Sequence, residues 1–170
     1  PEHPGSFLEF CETVGERGIT EFNYRMADVR EAHIFVGIAL KHGLQEKNEI
    51  IAELREHGLP VTDLSSNDMA RLHIRHMVGG RADAENERVL RFQFPERPGA
   101  LLQFLRGMRS DWNNSLFHYR NYGSEYGRVL MGIQVPEEDD GRFRQFLEQT
   151  GYSYRSEDDN PAFDMFVGPV

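Results

Sequence analysis

Cysteine is nearly absent from this chain: Cys11 is the only one among 170 residues. A single thiol excludes a disulfide framework and a cysteine zinc site, and points to a reducing, cytoplasm-like compartment. Lysine is almost as scarce, with Lys41 and Lys47 alone, and arginine supplies the remaining positive charge. Neither lysine sits in the apolar stretch that an amine nucleophile needs, so Schiff-base chemistry is not expected. Positive charge as a whole is in deficit. A net charge of −9 lacks the basic face that nucleic acid or an anionic membrane would require. No apolar run approaches the ~20 residues of a transmembrane helix. The opening PEHPG has neither the basic start nor the apolar core of a signal peptide. A Gly-rich phosphate loop, a nucleophile elbow around Ser6 and an alternating-Asp calcium loop at Glu137–Asp140 are also missing.

What is present is a repeat. PEHPGSFLEF at 1–10 is answered by PERPGALLQF at 95–104, an offset of 94. EFNYR at 21–25 is answered by LFHYR at 116–120, and FVGI at 35–38 by LMGI at 130–133, both at an offset of 95. Leu54-Arg-Glu-His-Gly58 is answered by Leu147-Glu-Gln-Thr-Gly151. Four matches in one order and at nearly constant spacing imply two copies of one unit. Two copies are too few for a solenoid, so paired domains fit better.

In the second copy, RVLRFQF at 88–94 alternates like a strand, with Leu90, Phe92 and Phe94 on one face. After the Pro95–Gly99 turn, Leu101, Leu102, Phe104, Leu105 and Met108 are spaced for one buried helix face. Strands are predicted at 115–121 and 128–135. A helix starting in the acidic run 137–140 would bury Phe143, Phe146 and Leu147 and stop at Gly151. Closing strands are predicted at 152–156 and 163–167. The order β-α-β-β-α-β implies an α+β ferredoxin-like unit, an antiparallel sheet with its helices on one face.

The first copy repeats this order: helix 5–16, strands 19–26 and 33–40, helix 46–57, strand 59–64. An amphipathic segment at 68–78 and a polar linker at 79–87 follow. The expected units are 1–80 and 81–170. The first opens directly on its PEHPG turn, so its leading strand is expected to be missing. An empty internal slot of that kind favours association as a homo-oligomer.

Catalytic signals are weak. Cys11 falls on an apolar helix face, as a packing cysteine does. His73 and His76 lack further ligands at metal-binding spacing. No catalytic or metal-binding residue is assigned. The repeated P-E-x-P-G turns carry more: Pro4-Gly5 and Pro98-Gly99 let the backbone turn closely into a helix whose exposed amides suit a carboxylate. Taken alone they are also ordinary strand–helix turns. Tyr24-Arg25 and Tyr119-Arg120 form the second repeated feature. Each tyrosine offers an apolar wall with one hydroxyl, and each arginine can clamp a carboxylate. Core tyrosines with surface ion-pair arginines are the alternative for either copy. Their duplication favours a small amino-acid site near the pseudo-symmetry axis.

PGSFLEFC, TEFNYR, IFVGI, MARLHIRHMVGGR, FPERPGALLQFL, SLFHYRNYGSEYGRVL and NPAF closely resemble the C-terminal regulatory region of biosynthetic threonine dehydratases, over almost the whole chain. That resemblance implies two ACT-like subdomains that bind isoleucine as feedback inhibitor and valine as antagonist. Their partner would be a catalytic domain of the same chain, dependent on pyridoxal phosphate. It further implies that Tyr24 and Tyr119 sense the effector and that Arg75 and Arg120 tune feedback. The catalytic domain and its cofactor lysine lie outside these residues, so neither cofactor nor enzyme activity is expected here. A structural or oligomerisation module with an incomplete effector site is the alternative.

Overall fold

The alternating pattern of RVLRFQF is realised as β3 (Glu87–Pro95), which turns Leu90, Phe92 and Phe94 into the core. A computed structural model describes residues 3–26, 32–68, 70, 76, 79–108, 111–120, 123, 125–161, 163, 167 and 168. The other elements are α1 (Ser6–Val14), β1 (Gly18–Arg25), β2 (His33–Ala39), α2 (Gly43–Glu56), α3 (Ala100–Gly107), β4 (Asn113–Arg120), β5 (Tyr126–Gln134), a short 3-10 turn (Glu137–Asp139), α4 (Asp140–Thr150) and β6 (Ser153–Ser156). Residues 3–58 and 87–156 thus repeat one order, helix-strand-strand-helix, and the second copy adds a strand at each end.

The two copies share a single antiparallel sheet of six strands, ordered β2-β1-β4-β5-β3-β6. The join is the β1–β4 pair, and its register is symmetric. Asn23 faces His118, its own counterpart in the repeat, Phe22 faces Tyr119, and Tyr24 faces Phe117. A pseudo-twofold axis therefore passes between Asn23 and His118.

Strand alternation sends Phe22, Tyr24 and Phe117 to the helix side. There Phe7 of α1 lies 5.4 Å from Phe22, 5.2 Å from Tyr24 and 5.2 Å from Phe117. Edge-to-face and offset pairs of this kind contribute about 0.5–1.5 kcal/mol each beyond their buried area. One apolar core runs continuously under the helices. In it α1 touches both α2 and α3, and α3 touches α4. Phe143, Phe146 and Leu147 are the buried face of α4, which stops at Gly151 in the left-handed conformation (φ 67°).

The strand predicted at 59–64 does not form; those residues are irregular. In a ferredoxin-like order this segment would pair with the leading strand of its unit, and no described strand lies beyond β2 for it to join. At the far end, the Val167 N–H bonds the carbonyl of Phe163, four residues back, at 2.9 Å. That is a helical-turn bond between the two ends of the strand predicted at 163–167, whose residues 164–166 lie outside the described residues. The amphipathic segment predicted at 68–78 lies outside the described residues except for Asp68, Ala70 and His76.

The polar linker is not a free tether. Gly79 (φ 92°) lies against Arg25, where a Cβ would come within 2.6 Å of the arginine's own Cβ, and Ala82 is buried.

Candidate functional site

Each P-E-x-P-G turn delivers the chain into a helix through a left-handed glycine. Gly5 (φ 93°) caps α1 and Gly99 (φ 80°) caps α3. The carbonyls accept matching bonds, from the Glu9 N–H at 3.0 Å and the Gln103 N–H at 2.9 Å. A residue with a Cβ is strained at such φ values, which is why glycine stands at both places.

The second turn forms one wall of a cavity of about 260 Å³. It runs from Phe94 through Pro98 and Gly99 to Leu102, and the opposite wall comes from the first copy, through Cys11, Gly15 and residues 17–20. The cavity therefore lies at the seam between the repeats. Its floor is apolar, with Phe22, Phe117 and Val129, and Tyr119 stands at its side. Pockets for drug-sized ligands are roughly 300–1,000 Å³, so this one suits something smaller.

Polar groups in the seam cavity are few and mostly held. The Tyr119 hydroxyl donates to the Glu96 carboxylate, at 2.7 and 2.9 Å from its two oxygens. Both groups lie over Gly127 of β5, where a Cβ would sit 2.3 Å from the Tyr119 ring and 2.3 Å from Glu96. The Arg17 guanidinium caps the end of α1 by donating to the Val14 carbonyl at 2.7 Å, and pairs with Glu53 at 2.9 Å. Arg97 is exposed at the rim and donates to Gln103 at 3.2 Å. Burial, with Glu12 adding to it, pushes the Cys11 thiol far up, so it stays protonated and is no nucleophile.

A second cavity of about 450 Å³ lies within the first copy, lined by His3, Ser6, Phe7, Tyr24 and Ile34 among others, with Glu9, Glu12 and Glu53 contributing carboxylates. Tyr24 is buried, and its hydroxyl donates to the Asn114 carbonyl at 2.9 Å.

The candidate residues are thus divided. Tyr119, Pro98 and Gly99 line the seam cavity, and Tyr24 lines the other. Pro4 and Gly5 line neither, although their neighbours His3 and Ser6 do. Arg25 and Arg120 alternate to the opposite face of the sheet. Arg25 forms a buried ion pair with Glu87, the two side chains 5% and 6% exposed. It also donates to the carbonyls of Gly80 at 3.2 Å and Val167 at 2.7 Å. Ser115 completes the cluster by bonding Glu87. Arg120 meets the ring of His76 at 2.7 Å. On the axis itself, burial and then the Arg120 charge lower the pKa of His118. Arg75 lies outside the described residues.

Sequence reasoning passed over Glu96, Arg97 and Glu87. Glu96 was within reach, since glutamate occupies the second position of both P-E-x-P-G turns. Nothing in the polar run 79–87 marks Glu87, the first residue of β3, as a buried carboxylate. Among the described residues no three His, Cys, Asp or Glu side chains gather as metal ligands. None of their helices is long and apolar enough to cross a membrane.

Paired ferredoxin-like units sharing one sheet, with a small cavity at their seam, define a tandem ACT-like α+β architecture. The profile of the C-terminal regulatory domain of threonine dehydratase matches residues 1–74 and 78–167. The chain is 50% identical over 168 residues to the L-threonine dehydratase biosynthetic IlvA of Burkholderia multivorans, covering 98% of this chain and 33% of that protein. It is 49% identical over 168 residues to the enzyme of the same name from Escherichia coli, covering 98% and 32%. To the mitochondrial threonine dehydratase of Saccharomyces cerevisiae it is 38% identical over 175 residues, covering 98% and 30%. The chain belongs to the family of threonine dehydratase C-terminal regulatory domains, and it spans about a third of the length of these relatives.

Proposed function

We propose that this chain is the allosteric sensor of a biosynthetic threonine dehydratase. Isoleucine binds in the seam cavity as feedback inhibitor, and valine opposes it. The single observation that carries this reading is a small apolar cavity walled by both repeats. A ligand held there contacts both units at once, so its binding free energy differs between arrangements of the two, which is what allosteric control requires. A branched aliphatic side chain matches the floor of Phe22, Phe117 and Val129. The relatives' names tie the domain to threonine dehydration.

In this reading residues 1–80 and 81–170 are the two subdomains, and their partner is a catalytic domain carrying pyridoxal phosphate. The described residues do not themselves fit that cofactor. Neither lysine lines the seam cavity or the first-copy cavity, Lys41 is exposed, and Lys47 pairs with Asp63 at 2.7 Å. The protein works in the cytoplasm as a homo-oligomer. Arg25 and Arg120 act from behind the sheet, transmitting the state of the β1–β4 join rather than touching effector, and Arg75 is assigned to feedback sensitivity with them.

Calorimetric titration of this chain with isoleucine, valine and threonine tests the proposal. Saturable binding of isoleucine, with valine competing and threonine silent, is expected. Absence of heat with both branched-chain amino acids, from folded protein, overturns it.

A further inference from the structure

We infer that Glu96, oriented by Tyr119, is the residue that recognises the effector's ammonium group, and that Arg97 beside it takes the carboxylate. The inference rests on the seam cavity being the effector site. It names the chemistry by which that site tells an α-amino acid from any other small apolar molecule.

The two charges of an α-amino acid sit on neighbouring atoms at one end, with an apolar side chain at the other. The cavity has the complementary arrangement. Its rim carries an acid and a base adjacent in sequence, Glu96 and Arg97, while its interior is apolar. Glu96 is fixed at both ends: its backbone N–H bonds the Glu125 carbonyl at 2.9 Å, and its carboxylate accepts the Tyr119 hydroxyl. A carboxylate offers about four lone-pair sites, so the one that the Tyr119 hydroxyl orients can accept from an ammonium as well. Gly127 provides the space in which ring and carboxylate meet. Tyr119 is then a positioning residue, and its phenol need not touch the effector.

The repeat supplies an internal contrast. The first turn has His3 where the second has Arg97. Among the described residues, the cavity next to it is lined by three glutamates and by neither arginine nor lysine. Two of those glutamates are already engaged by arginines, Glu53 by Arg17 at 2.9 Å and Glu12 by Arg106 at 3.2 Å, whereas the seam cavity sets an acid and a base side by side in one turn.

The test is calorimetry on this chain with isoleucine and with the same acid lacking its amino group. Wild type, Glu96→Gln and Tyr119→Phe are compared after each is shown to melt as wild type does. A charge-assisted hydrogen bond of about 1.5–3 kcal/mol corresponds to a loss of roughly 10- to 150-fold. Glu96→Gln is expected to weaken isoleucine by that factor while changing the des-amino acid by less than about 3-fold, so that the preference for the amino acid collapses. Tyr119→Phe keeps the charge and loses only its orientation, with an expected loss of about 3- to 10-fold. Wild-type affinity for isoleucine in Glu96→Gln, or equal weakening of both ligands, overturns the assignment of Glu96 and leaves the effector reading standing. Failure of the wild-type chain to bind isoleucine overturns both.

Discussion

Replacing Arg25 by alanine will destabilise the fold severely, because of what it leaves behind. The guanidinium is almost fully enclosed and bonds Glu87 and the carbonyls of Gly80 and Val167. Its removal strands the Glu87 carboxylate, 6% exposed, with the Ser115 hydroxyl as its remaining side-chain donor among these groups. Breaking a buried ion pair by deleting one partner costs about 3–5 kcal/mol. At roughly 2–4 °C per kcal/mol for a chain of this size, the melting temperature should fall by about 6–20 °C. Urea unfolding and a thermal melt, read together, measure it. The double variant Arg25→Met with Glu87→Met is the control. It removes both charges, so it should recover most of the loss, since apolar replacement of a whole buried pair is often neutral or stabilising. If Arg25→Ala lies within about 1 kcal/mol of wild type, or the double variant is no better than the single one, the pair is not the brace the geometry describes.

Other perturbations have equally definite outcomes. Gly127→Ala drives a Cβ into the Tyr119 ring and Glu96; overpacking should cost about 1–3 kcal/mol, and isoleucine binding should fall with it in the same titration. Gly99→Ala puts a side chain at φ 80°, costing about 1–2 kcal/mol, measurable by urea unfolding. The Cys11 thiol, buried and held protonated, should resist a thiol reagent in native protein and react promptly in denaturant. The depressed pKa of His118 means that the unfolded chain takes up its proton first as pH falls. Its contribution to stability is therefore intact above the unfolded value of ~6.5 and lost on going below it. His118→Gln should flatten the stability profile between about pH 7 and 5.5, and an unchanged slope would mean that His118 is not the group responsible.

Local features were the legible ones. The duplicated P-E-x-P-G turns announced two close turns into helices, and Gly5 and Gly99 make them with nearly the same left-handed φ. Apolar spacing gave the buried faces of α3 and α4, because a helix face is written within a dozen residues. What escaped was set by partners distant in sequence. Nothing in EFNYR says that it pairs with LFHYR across the pseudo-twofold axis, whereas strand alternation alone already places Tyr24 and Arg25 on opposite faces. Residues 59–64 have strand-like composition, but a strand needs a neighbour, and none stands beyond β2 among the described residues. Glu96 passed as part of a turn, since its meaning depends on a tyrosine 23 positions further on.

Backbone amide NMR of this chain during an isoleucine titration tests the central claim most directly, because it reports where the ligand sits as well as whether it binds. Saturable shifts are predicted around both walls of the seam cavity, at Gly99, Leu102 and Tyr119 from one repeat and at Cys11, Gly15 and Gly18 from the other. Spectra that do not change with isoleucine, or that change only around the first-copy cavity at Ser6, Glu53 and Leu59, would contradict it.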